Sequence, residues 1–430
     1  MKVVAIGIGS VIFGIELLRD IFRVPELKGA ELWLVDVAAE PLARMTALTE
    51  RLNEAADWDV AVRSTTDREE ALPGADFVVT AVAVDRIATW RIDHDLANGY
   101  GFGSVLSENG GPGGLSHTLR AVPLMLDIAR DVERLAPDAW MLNYTNPENR
   151  ICLALDRHTS VRMIGLCHSA AEAMVRSAAA LGRTQAEVDA WAVGLNHYTW
   201  FVAFRDARDG TDLLPDVHRS AMAPDSAVGP VGRLLLEHVG VLPAIDDNHI
   251  GEYLPWAAEL VGTQGYEFDR HDRRSRDDID ALEAWGSGAR SVRPLIDELS
   301  HEASLDHSSA GIMGDVIARR TRRRPSFILP NRGYIDNLPA DAAVEVPGLI
   351  VDGEPQGVPI GTMPEPVAAL LRHELAIQEA AIEAAIQGSR DHAMEALLLD
   401  PTVNSPTAAQ RFLDDILEAH RRYLPRFWAD

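Results

Sequence analysis

Over the first third of the chain, short apolar runs alternate with stretches whose apolar residues recur every three or four positions. "KVVAIGIGS" predicts a buried strand and "FGIELLRDIFRV" the helix after it. "AELWLVD" predicts a second strand and "AAEPLARMTALTERLNEAA" its helix. "DVAVRSTTD", "ADFVVTAVAV", "AWMLNYTNP" and "VRMIGLCHS" supply four more strands. Strands alternating with helices predict parallel βαβ units, hence a doubly wound α/β sheet. Near residue 190 the pattern changes. "AWAVGLNHYTWFVAFRD" predicts an antiparallel strand pair, while residues 226–245 and 364–400 carry helical periodicity. Residues 268–280, "FDRHDRRSRDDID", show no periodic apolar face and predict a charged loop.

Length adds to this picture: 430 residues exceed one ordinary core, so two domains, or one large domain with a long appendage, are expected. The change of pattern divides the chain into 1–190 and 191–430. A formal net charge of −25 opposes binding to a nucleic-acid backbone. No run is long enough to predict a membrane span, and "MKVVAIGIGS" does not predict a secretory signal. Two cysteines, Cys152 and Cys167, cannot make a disulfide framework, so a reduced, cytoplasmic protein is expected.

"GIGSVIFG" (Gly7 to Gly14) leaves the first strand and opens a helix, the place where backbone N–H groups take a pyrophosphate. Gly7 and Gly9 fit the G-x-G-x-x-G pattern, Ser10 and Val11 follow them, and Ile12 stands where the third glycine is expected. Asp36 ends the second strand and suits a ribose 2′-hydroxyl, which favours NAD over NADP.

Four further clusters fall where a doubly wound sheet collects ligands, beyond the strand ends. "SENGGPGGLSHTLR" offers Glu108, Asn109 and His117; "NYTNPENR" offers Asn146 and Arg150; "GLCHS" offers Cys167 and His168; "GLNHYTWF" offers His197. A thiolate and an imidazole can share a divalent cation. "NHIGEYLPW" adds Tyr253, whose ordinary pKa of about 10 makes it a base only beside positive charge. Read singly, Cys167 also suits a small buried apolar residue, His197 a hydrogen-bonded core residue, Tyr253 a packed aromatic and Arg150 an ion pair on a helix.

In this order the clusters resemble glycoside hydrolase family 4 and its close relatives, the NAD- and metal-dependent glycosidases, over residues 1 to about 385. The resemblance implies a Rossmann domain over 1–190 joined to an α+β domain over 191–430 that carries substrate, metal and oligomerisation surfaces, as in lactate and malate dehydrogenases. It implies a homodimer or homotetramer. It also implies α-glycoside cleavage by transient oxidation at C3, proton removal at C2, elimination and addition of water, outside the usual two-carboxylate scheme. Carried over, Cys167 and His197 are metal ligands, manganese being the expected ion. Tyr253 is the base, His168 the acid on the leaving oxygen, and Asn146 a substrate or cofactor contact. Gly7, Gly9, Ser10, Val11 and Asp36 hold NAD; Glu108, Asn109, His117 and Arg150 face the sugar.

Members acting on plain α-galactosides and α-glucosides carry Asp-Thr before the Gly-Pro-Gly-Gly and an arginine after it, where this chain has Glu108-Asn109 and His117. These departures touch the sugar pocket. A neutral α-hexoside and an anionic glycoside (a glucuronide or sulfoquinovoside) are both expected substrates. A dehydrogenase of hydroxy acids or sugars on the same fold is the alternative.

Overall fold

Val3, Val4, Ala5 and Ile6 are all buried, as a strand covered on both faces requires. In the computed structural model, β1 (Lys2–Ile6) lies inside a parallel set. Its partners are β2 (Glu31–Val35), β3 (Ala61–Thr65), β4 (Phe77–Thr80), β5 (Trp140–Asn143) and β6 (Arg162–Gly165), in the order β3-β2-β1-β4-β5-β6. The structure describes residues 1–264, 266–297 and 306–428. Val4 and Ile6 pack into one core and Val3 and Ala5 into another, so the two-residue strand period fills both faces. This is the doubly wound sheet expected from the sequence. The register pairs Ile6 with both Val35 and Thr80, which brings Gly7, Asp36 and Ala81 out at one edge.

The later strands extend the same sheet. β6 meets β9 (Arg322–Pro330) antiparallel at Gly165 and Ile328. A Cβ on Gly165 would stand 2.6 Å from both Cys152 Sγ and Glu148 Oε1, so glycine permits this junction. Beyond β9 come β10 (Ala343–Val351), then β7 (Val188–Leu195) and β8 (Tyr198–Asp206), with β11 (Glu354–Gly357) on β10. Thus, among the described residues, eleven strands form one sheet spanning both halves of the chain. The predicted antiparallel pair is the β7–β8 hairpin, which turns at Asn196 and His197.

Two differences from the sequence pattern have physical causes. Residues 268–280 are not a loop: they belong to a helix, Phe268–Gly286. Its few apolar anchors suffice, since Phe268 packs on Trp90 at 5.5 Å between centroids and Leu282 is buried. Its charges pair outward, Asp269 and Asp272 with Arg91. The long helical stretch near the C-terminus divides into Glu365–Gln387 and Arg390–Leu399. Gly388, in the left-handed region at φ 66°, ends the first, and Ser389 caps the second by accepting from His392 N–H. No helix among the described residues is long and apolar enough to cross a membrane.

Candidate active site

The turn after β1 is built for close approach. Gly7 has φ 85°, and a Cβ there would lie 2.4 Å from the Ala81 carbonyl oxygen. Gly9 N–H donates to Asp36 Oδ2 at 2.8 Å, and Ala38 N–H donates to Asp36 Oδ1 at 2.9 Å, so the carboxylate is fixed beside the turn. Ser10 stands at the N-terminal boundary of a helix whose first residue is Val11, without a side-chain capping bond. A Cβ on Gly14 would stand 2.1 Å from Met45 Cε and 2.4 Å from the Ile8 carbonyl oxygen. The tight helix packing expected of the third glycine is therefore made by Gly14. Gly7, Ser10, Asp36, His117, Tyr144 and Asn146 line a cavity of about 800 Å³, the size class of cofactor pockets. Gly9 and Val11 belong to the same turn and helix start but do not line the cavity.

The glycine-rich segment does a second job. Gly110, Gly113 and Gly114 have no room for side chains: a Cβ on Gly113 would come 2.3 Å from Ser107 Cβ, and one on Gly114 would come 2.4 Å from the Asn109 carbonyl oxygen. The segment Ser107–Gly110 thus folds back on the start of the helix Gly111–Leu135. Glu252 Oε2 clasps it, accepting from the backbone N–H groups of Glu108, Asn109 and Gly110 at 2.7, 2.8 and 2.9 Å. Burial, with the Glu108 charge adding, pushes the Glu252 carboxyl up to about 8 despite those bonds.

Held in this way, Glu108 meets two histidines. Ligand atoms of Glu108, His197 and His249 all lie within 4.8 Å of one another. His197 occupies the β7–β8 turn at φ 63°, and Asn109 Nδ2 contacts its Nδ1 at 2.7 Å. His249 follows the turn residue Asp246, whose Oδ2 lies 2.8 Å from its Nδ1. Burial opposes ionisation of Glu108, but Arg86 and the imidazoles of His197, His249 and His117 outweigh it and hold its carboxyl below the usual range. Burial lowers the His197 pKa, which keeps the imidazole neutral and able to ligate. Glu108 and His249 wall a second cavity of about 570 Å³ with Arg86, Trp90, Tyr266 and His271. Arg86 also lines the first cavity, so the two adjoin.

The remaining sequence candidates do not belong to this group of three. Cys167 Sγ donates to Ser169 Oγ at 3.3 Å, and burial with the nearby Glu345 pushes its thiol up to about 11. His168 precedes the helix Ser169–Ala180 without a side-chain capping bond, its ring 5.6 Å from Tyr144 and 5.0 Å from His307. Tyr253 is 6% exposed and stacked on Tyr198 at 4.4 Å, and it lines neither cavity. Burial and the adjacent Glu252 raise its phenol well above the ordinary value. Arg150 is 1% exposed and lines neither cavity. It donates to Thr118 Oγ1 at 2.8 Å and Glu374 Oε1 at 3.2 Å, an ion pair between helices. Asn146 Nδ2 reaches Glu108 Oε1 at 3.4 Å, and His117 Nδ1 lies 2.9 Å from the Glu108 carbonyl oxygen.

A dinucleotide-sized cavity at the strand ends adjoins a second one edged by the group of three ligand atoms, and family models match nearly the whole chain that builds them. Residues 2–182 match the model of the family 4 glycosyl hydrolases, and residues 192–403 match that of the family 4 glycosyl hydrolase C-terminal domain. The chain belongs to glycosyl hydrolase family 4. It is therefore a glycosidase. Among its family 4 relatives, an α-glucosidase of Erwinia rhapontici is 30% identical, with 98% of each chain covered. An α-galactosidase of Bacillus subtilis (strain 168) is 29% identical, with 99% of each covered. The fold matches a 6-phospho-α-glucosidase from gut microorganisms, solved in complex with NAD and Mn²⁺, at a TM-score of 0.84, 22% identity and 98% coverage of both chains.

Arg86, His249 and Glu252 are the residues that sequence reasoning passed over. A signal existed for His249: "DDNH" places an aspartate three residues before a histidine, the spacing of a capped turn. Arg86 sits in an unremarkable helix start, and nothing local in the sequence marks it.

Proposed function

We propose that this chain is an NAD- and manganese-dependent α-glycosidase acting on unphosphorylated hexosides. The observation that supports the reading is that Arg86 lines both cavities, with Glu108 in the wall of the second, which suits a sugar in the second beside a nicotinamide in the first. The donor set fits a divalent cation, offering two imidazoles and an ionised carboxylate among the described residues. When bound, NAD supplies reversible oxidation at a sugar carbon and the cation supplies Lewis-acid stabilisation of negative charge.

The chain's own groups do the rest. Asp36 takes a ribose hydroxyl, and Asn146 and His117 face the cofactor cavity. Glu108 and Asn109 position the sugar side, and His197 is a metal ligand. Cys167 as a second ligand, His168 as acid and Tyr253 as base rest on the family match. Tyr253 in particular needs positive charge beside its buried ring before it can take a proton. Arg150 acts through the core. The relatives named α-glucosidase and α-galactosidase support a neutral hexoside. Arg86, nearly half-exposed at the cavity edge, supports a second reading, an anionic glycoside held by its guanidinium. The homo-oligomeric state and cytoplasmic location are part of the same proposal.

The test is a panel of aryl α-glycosides (galactoside, glucoside, glucuronide, sulfoquinovoside) assayed with NAD⁺ and Mn²⁺. Cleavage that stops with chelator and accumulates no NADH is expected. Steady NADH formation without cleavage would instead identify a dehydrogenase.

A further inference from the structure

The family matches end at residue 403, yet residues 404–428 stay folded against the helix that leaves β4. The helix Pro406–Ala419 buries Phe412, Leu413, Ile416 and Leu417 in the core that also holds Ala97 and Leu119. Just beyond it His420 is fully buried, its Nε2 2.8 Å from Asp93 Oδ1 on the helix Arg86–Gly99. The next turn then reaches the start of the same helix. Arg422 Nη2 donates to Asp85 Oδ2 at 2.7 Å, and the Tyr423 hydroxyl donates to the same oxygen. The Arg422 guanidinium lies over the Tyr423 ring, 4.3 Å from its centroid. Asp85 stands in the left-handed region at φ 42°, and its side chain makes no capping bond to its own helix, so the carboxylate serves the distant segment instead. Val82, Ala83, Val84, Asp85 and Arg86 wall the first cavity, and Tyr423 joins them there.

We propose that Tyr423 and Arg422 are positioning residues of the cofactor site, holding the wall at residues 82–86 against bound NAD through Asp85 and slowing its departure. The assignment rests on the NAD-dependent reading above and adds residues to it. Turnover in that reading hands the hydride back to the sugar, so a cofactor that stays in place serves one cycle after another. The segment is suited to the task because it is anchored twice on one helix, at buried Asp93 and at the cavity edge by Asp85. Both charged partners at the edge are more than half-exposed, so the tie is modest and its loss changes a rate without abolishing binding.

The experiment loads the full chain with NADH and follows its release by stopped-flow fluorescence on mixing with excess NAD⁺. Tyr423→Phe, Arg422→Gln and Asp85→Asn are each expected to speed release by about 3–10-fold. Hydroxyl and carboxylate act as a pair, so Asp85→Asn combined with Tyr423→Phe should release NADH within about twofold of the faster single variant. Urea midpoints of the cofactor-free proteins read folding separately. Wild-type release in Tyr423→Phe and Asp85→Asn overturns the proposal, and a lowered urea midpoint with unchanged release marks the contact as structural only. Single effects that multiply in the double variant overturn it as well, since the two groups would then act independently. No uptake of NADH by the wild type would bring down the NAD-dependent reading itself, a result distinct from all of these.

Discussion

Replacing Glu252 by glutamine isolates the energetics of the clasp beneath the site. The Glu252 side chain is 2% exposed, and one of its oxygens accepts three backbone N–H groups. Its carboxyl is raised from an ordinary 4.5 to about 8, by burial first and by the Glu108 charge second. Because the folded value lies above the unfolded one, rising pH strips the proton from the unfolded chain first. The stabilising contribution is complete below pH 4.5 and is lost as pH climbs towards 8. Each pH unit in that window costs roughly 1.4 kcal/mol, so the full window is worth about 4–5 kcal/mol. Glutamine keeps an acceptor oxygen for the three donors and cannot ionise. Its NH₂ group has no evident partner, since Oε1 has none, which adds an offset of about 1–3 kcal/mol that does not vary with pH. Urea unfolding of chelated wild type and Glu252→Gln at pH 5, 6, 7 and 8 reads the difference. The variant should gain on the wild type by roughly 1.4 kcal/mol per pH unit. A difference that stays constant from pH 5 to 8 would refute the reasoning.

Asp36→Ala should weaken NAD binding by roughly tenfold or more in calorimetry, since a charge-assisted bond is worth about 1.5–3 kcal/mol and the turn also loses its Gly9 contact. Asp93→Asn should destabilise the protein by about 3–5 kcal/mol in thermal or urea unfolding, because it leaves the buried Arg120 guanidinium without a charge partner. Arg120 and His420 outweigh burial and hold the Asp93 carboxyl below its usual range, so this contribution is present at neutral pH and fades on acidification. Gly113→Ala should displace Ser107 and cost about 1–3 kcal/mol in urea unfolding.

Much of the fold was legible because local patterns sufficed. Val3 to Ile6 and Phe77 to Thr80 are β-branched or apolar throughout, as strands covered on both faces must be. The helix at 268–286 was hidden because its charges outnumber anchors such as Phe268 and Leu282, which show only when Trp90 and the core lie against them. The site was legible in its pieces. Glu108 and His197 stood out by motif, whereas His249 joins them only through the tertiary path of a short turn. Arg150 misled for the opposite reason: its position beside the Asn-Pro motif suggests a pocket, but the helix turns the guanidinium inward onto Glu374. Cys167 and His168 are adjacent in sequence and meet different neighbours, Ser169 for the thiol and the rings of Tyr144 and His307 for the imidazole.

The most direct test of the account is cleavage of an aryl α-glycoside in D₂O with NAD⁺ and Mn²⁺, followed by NMR of the released sugar. Removal of the C2 proton during turnover predicts solvent deuterium at C2 of the product. Efficient cleavage with only hydrogen retained at C2 would contradict it and point to an ordinary displacement at the anomeric carbon.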